Sequence, residues 1–169
     1  MKRISLFSCV ILCLGLLGMG LLQKPYKSVA GKFSVLFPKP PTEGSQDVPT
    51  DVGNIKMYSF MAEVSDAKVF MVAYSDYDEK LMEAAEPYTV LRGSRDGVVT
   101  QFQAEIDSEK ESKFEGYPCI DFVASGDTYF TSYKLILVKN RLYQIGILKI
   151  GSAVSKADQA FISSFKLTK

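Results

Sequence analysis

Histidine and tryptophan are absent from all 169 positions, and cysteine occurs only three times. Without imidazole there can be no Ser-His or Cys-His nucleophile pair, no histidine general base and no zinc site built on histidine. Two of the cysteines, Cys9 and Cys13, fall in an apolar leader, which leaves Cys119 alone in the body. A single thiol closes no intrachain bridge, so the fold must be stable without a disulfide. Acid is missing from the N-terminus as well. Residues 1–30 hold Lys2, Arg3, Lys24 and Lys27 and no Asp or Glu, so the formal charge of +1 hides sixteen basic against nineteen acidic residues beyond position 30. That excess of three acids argues against a nucleic-acid partner, which needs clustered Lys and Arg to neutralise phosphates.

What is present begins with Met1-Lys2-Arg3 and then nineteen uncharged residues, Ile4 to Leu22. A short positive region before an apolar run is the pattern of a segment handed to an export machine. Nineteen residues also approaches the minimum for crossing a bilayer, which keeps two readings open. In one, residues 1–30 are a signal peptide, cut after Ser28-Val29-Ala30 or after Gly18-Met19-Gly20. In the other, they are an N-terminal membrane anchor retained through residues 4–22. Neither inner cysteine has the context of a lipidated one: Cys13 follows bulky Leu12, and Cys9 has almost no apolar region before it. Either way the body, residues 31–169, is expected to be a single domain outside the cytoplasm.

Within the body the strongest signal is the apolar run from Tyr129 to Ile150. It reads as a β-hairpin reversing at Lys139-Asn140 or Asn140-Arg141, and both faces are apolar near the turn, as in a strand pair central to a sheet covered on both sides. Phe33 to Phe37 reads as a first strand, stopped by Pro38, Pro40 and Pro41. After a polar stretch containing Gly44, Pro49 and Gly53, alternation predicts strands over 55–62 and 69–77 joined at Ser65-Asp66-Ala67-Lys68. The acidic run Asp76, Asp78, Glu79, Glu83 and Glu86 is not a calcium loop. Counting from Asp76, the sixth and twelfth positions hold Leu81 and Pro87 where an EF-hand needs Gly and Glu. It reads as a solvated loop before a helix from Pro87 to about Gln103, with Tyr88, Leu91, Val98 and Phe102 on one stripe. Gly93 and Gly97, four apart, suggest a close approach to the sheet, and Arg92 and Arg95 are candidates for a docking face. Glu105 to Ser112 reads as an edge strand blunted by charge, and Gly116-Tyr117-Pro118 as the turn that ends it. Cys119 to Ala124 makes a short strand, and Ser155 with Asp158 a capping box for a last helix whose stripe is Ala157, Phe161 and Phe165.

Strands, helix, strands and helix in this order give an α+β domain, a mostly antiparallel β-sheet with helices packed on it. The elements together resemble the PsbP/DcrB-like superfamily of α/β/α sandwiches. That group includes extracytoplasmic bacterial proteins, thylakoid-lumen photosystem proteins and the Ran-binding Mog proteins. The resemblance covers most of residues 31–169 and rests on residues 31–38 (GKFSVLFP), 92–97 (RGSRDG), 116–118 (GYP), 140–144 (NRLYQ) and 161–165 (FISSF). It implies a fold and a location and supplies no active-site residue, cofactor or metal ligand. The function expected is therefore non-enzymatic: an exported or membrane-anchored binding or assembly module of the cell envelope. Its partner would be another envelope protein or complex, and it would touch the membrane through residues 4–22 if the leader stays. The alternatives are an enzyme using Cys119 or surface carboxylates, and a photosystem-associated PsbP-like protein. Cys119 has no histidine to activate it, and a lone cysteine in a strand ordinarily acts as a small buried apolar group.

Overall fold

The computed structural model describes residues 24–50 and 53–169. The run 4–22, Cys9, Cys13 and the cleavage motif ending at Gly20 lie outside the described residues. Ten strands are described: β1 (Tyr26–Ser28), β2 (Phe33–Val35), β3 (Thr42–Thr50), β4 (Gly53–Ser65), β5 (Lys68–Asp76), β6 (Glu105–Phe114), β7 (Tyr117–Ser125), β8 (Tyr129–Val138), β9 (Arg141–Ile150) and β10 (Lys166–Leu167). Helices α1 (Glu79–Ala84) and α2 (Pro87–Gln101) lie between β5 and β6, and α3 (Lys156–Ser163) precedes β10.

The hairpin β8–β9 takes the middle of a seven-stranded antiparallel sheet ordered β3-β4-β5-β9-β8-β7-β6, as its two apolar faces required. One face carries Phe60, Phe70, Val72, Cys119, Ile136, Tyr143, Ile145 and Ile147, and packs against Phe33, Val35, Phe37, Phe161, Ile162 and Phe165 from β2, α3 and the C-terminal segment. This core is aromatic: Phe33 stacks on Phe165 at 5.7 Å and meets Phe60 edge-on at 5.2 Å. The other face carries Ile120, Phe122, Leu135, Leu137 and Leu142 under Leu91 and Val98 of α2. On that face Gly146 lies beneath the ring of Tyr133, its register partner; a Cβ there would stand 2.3 Å from the ring. The aromatic ring fills the place that a side chain would take, which is why glycine is tolerated in a central strand.

The small strands β1, β2 and β10 form a second sheet of order β1-β2-β10, both pairs antiparallel. With α3 it covers the aromatic face, while α2 covers the other. The architecture is thus an α/β/α sandwich in which one outer layer is part helix and part sheet.

Several elements differ from what sequence pattern predicts. The polar stretch after the prolines is strand β3, paired with β4 in unbroken register from Thr42↔Met61 to Thr50↔Gly53. Its side chains are almost all exposed, so it is held chiefly by the backbone ladder and no apolar period marks it. The loop before α2 contains the short helix α1, whose first turn is capped by Asp78. Helix α2 ends at Gln101, and nothing lies within 4 Å of a Cβ built at Gly93 or Gly97, so those glycines face open space rather than the sheet. The β6–β7 turn falls at Glu115-Gly116, both with positive φ, so Tyr117 and Pro118 already belong to β7. In the central hairpin Lys139 takes the positive φ, at 57°, and not Asn140, whose side chain instead donates to the Tyr77 carbonyl at 2.8 Å. The capping box of α3 forms as expected, yet Ala157 is exposed and the buried helical positions are Asp158, Phe161 and Ile162. The chain does not stop with that helix but adds β10 to β2. Strand β1 lies before position 31, so the folded body reaches further back than the expected boundary.

Candidate functional site

Cys119 is fully buried in β7, with its Sγ 3.8 Å from Lys134 Nζ and 3.9 Å from Asp121 Oδ2. Burial pushes the thiol up, and the nearby Lys134 ammonium only partly counters it. Lys134 is itself held by Asp121 at 2.6 Å. A protonated, inaccessible thiol beside an already paired lysine is not a nucleophile in waiting. Among the described residues, no group of three or more Cys, Asp or Glu side chains is placed to hold a metal ion.

Arg92 and Arg95 project from α2 onto the edge strand. Arg92 meets Glu111 at 2.5 Å, and Arg95 meets Glu109 at 2.5 Å and its neighbour Asp96 at 2.8 Å. Because β6 alternates, Glu109 and Glu111 point to the helix-covered face. Two of the four acids that blunt this edge are therefore the partners of the helix's arginines. Arg95 keeps only 14% of its side chain exposed, so its guanidinium is engaged within the fold rather than offered to an outside partner.

A third arginine does similar work at the other end of the molecule. Arg141, first residue of β9, makes two parallel bonds to Asp76, at 2.6 and 2.7 Å, and donates to the Ala30 carbonyl at 2.9 Å. Its guanidinium also lies 4.4 Å from the centre of the Tyr74 ring. Beside it the Tyr143 hydroxyl donates to the Gly31 carbonyl at 2.8 Å. The β1–β2 turn is thereby bolted to the main sheet. Gly31 is needed there, since a Cβ would come within 2.8 Å of both the Phe33 ring and the Ser28 hydroxyl.

On the far side of that turn the chemistry is different. Lys27 of β1 and Lys166 of β10 both pair with Ser34 of β2, so all three side chains share the face opposite Phe33 and Val35. Phe33 and Val35 enter the core, hence the lysines point outward. Lys24, Lys32, Lys39 and Lys169 are exposed nearby in the chain, and segments 24–41 and 163–169 contain no acid. None of these six ammonium groups forms an ion pair among the described residues. An open cleft of about 300 Å³ borders the layer, lined by Tyr26, Phe37, Pro38, Pro40 and Pro41 with Lys24 and Lys39. Sequence reasoning missed this surface because it counted Lys24 and Lys27 with the leader. The visible signal was the acid-free run continuing to Pro41.

No protein-family model matches the chain, and no curated protein matches it. Among solved structures it is similar to cyanobacterial PsbP (CyanoP) from Synechocystis sp. PCC 6803, determined in solution. The TM-score is 0.58 and the identity 15%, over 89% of this chain and 95% of that one. At that identity the likeness carries the fold. The chain has the PsbP-like architecture that its motifs suggested.

Proposed function

We propose that the chain is a non-catalytic module of the cell envelope, exported or held at the membrane by residues 4–22, which binds another envelope protein or complex. The observation behind this reading is how the reactive groups are disposed. Cys119 is buried with its thiol pushed up, Arg92, Arg95 and Arg141 are each paired with carboxylates, and among the described residues the charges that form no ion pair are exposed surface groups, the lysines of the β1–β2–β10 layer among them. Catalysis needs a nucleophile or an acid–base pair open to substrate, and binding needs only an exposed and unsatisfied surface. The PsbP-like fold agrees with a binding role but does not assign one, because a fold hosts many functions. A photosystem link has only that architecture behind it.

The experiment is fractionation of the full-length tagged chain in cells, followed by crosslinking and recovery of partners, with Cys119→Ala alongside. Recovery in the envelope fraction, with the same partners for parent and variant, is the expected result. A full-length cytoplasmic product would overturn the location, and loss of partners or of cellular function in a folded Cys119→Ala protein would overturn the non-catalytic reading.

A further inference from the structure

We infer that the outward face of the β1–β2–β10 sheet is a docking surface for an anionic lipid bilayer. This deepens the envelope reading and rests on it. Register places Lys27, Ser34 and Lys166 in one row across the three strands, and Leu36, 40% exposed, lies just past the end of β2. Val29, 91% exposed, stands at the tip of the β1–β2 turn next to Lys32. Ammonium groups interspersed with apolar side chains suit the boundary between phosphate headgroups and acyl chains.

Two features favour a bilayer over an acidic protein. Every cation on this face is lysine, a mobile point charge that meets diffuse surface charge as well as it meets a fixed carboxylate. The chain's arginines with described positions, whose planar forks suit fixed carboxylates, are all used elsewhere inside the fold. The second feature is continuity. Lys24, which lines the cleft with Lys39, follows only two residues after the uncharged run that ends at Leu22, and that run is long enough for a bilayer. A tether leaving from this corner would keep the lysine face close to the headgroups, whose attraction fades over about 8 Å at physiological salt. Glu43 on neighbouring β3, whose carboxylate accepts from the Tyr26 hydroxyl, sets its negative charge at the corner of the layer, one acid against the six lysines around it.

The test uses the full chain with Cys9→Ser and Cys13→Ser, reconstituted into vesicles of phosphatidylcholine alone or mixed equally with phosphatidylglycerol. A fluorophore is placed at Val29→Cys, at the end of β1 away from the tether, or at Leu81→Cys on α1 as control, and a headgroup-nitroxide lipid quenches it. Quenching at Val29 is expected to be at least about twofold stronger in the anionic vesicles, to vanish in Lys27→Glu/Lys166→Glu, and to be absent at Leu81. Equal quenching in both lipids, or quenching that survives the charge reversal, would overturn the docking face. Flotation of the same samples reads the tether separately: release from phosphatidylcholine vesicles counts against anchoring by residues 4–22. A chain that then binds and is quenched only with phosphatidylglycerol still supports the lysine surface, and release from both vesicle types sinks both ideas.

Discussion

The cations on α2 and those on the three-stranded sheet share a sign and little else. Arg92 and Arg95 reach down to Glu111 and Glu109 and fasten the helix to the edge strand β6. Lys27 and Lys166 stand on either side of Ser34 with no acid in their own segments. Charge paired inside a fold holds that fold together, and charge left unpaired is available to whatever lies outside. The acidic edge strand was expected to be blunted against other strands, and it is. It serves a second purpose by supplying carboxylates to both arginines of the helix.

Both regions hang on the central hairpin, so the largest effect should come from breaking it. Ile145 is fully buried on the aromatic face, and Ile145→Asp would place a carboxylate there without a partner. Emptying such a site by truncation alone costs about 2–5 kcal/mol, against a typical domain stability of about 5–15 kcal/mol. The variant should be unfolded by circular dichroism at room temperature; a wild-type melting curve would contradict the central placement.

The basic layer also contains one paired carboxylate, which allows a sharper test. Burial by itself would raise the Asp158 carboxyl, but the Lys68 ammonium, at 2.8 Å, and the Ser155 hydroxyl and amide outweigh it and hold the group down at about 2. Since the folded value lies below the ordinary one, its contribution is complete above about pH 4 and is lost as the pH falls toward 2. Roughly 2 kcal/mol should disappear over that window. In Asp158→Asn the urea-unfolding free energy should be lower at neutral pH and should lose that much less on acidification.

Arg141, reaching from the main sheet to the β1–β2 turn, is the fastening cation nearest the free lysines. Arg141→Ala would leave the Ala30 carbonyl and Asp76 without their donor, and about 1–3 kcal/mol should be lost. Hydrogen exchange should quicken at β1 and the following turn before it does elsewhere. The smallest effects should divide along the opening contrast. Arg95→Met should cost about 1 kcal/mol through Glu109, whereas Lys27→Met and Lys166→Met should stay within about 0.5 kcal/mol of the parent. Equal losses at all three positions in chemical denaturation would erase the distinction between paired and free charge.

The amino-acid sequence determined, without help from tertiary structure, the elements whose side chains alternate between water and core: the β8–β9 hairpin, β4 and β5, the body of α2, and the capping box at Ser155. Alternation records burial, and these segments are half or wholly buried. It could not reveal β3, whose exposed side chains have no apolar period, nor β1 and β10, which at three and two residues are too short to show one, and of these β10 pairs with a strand far back in the chain. Nor could it tell Arg95 from Lys27. Each is a cation in a polar neighbourhood of the chain, and only the register of β6 beneath α2 puts a carboxylate beside the first, while the register of β1 and β10 across Ser34 leaves the second facing outward. Pairing over long sequence separations is decided by how the layers stack, and that information resides in no single stretch of the chain.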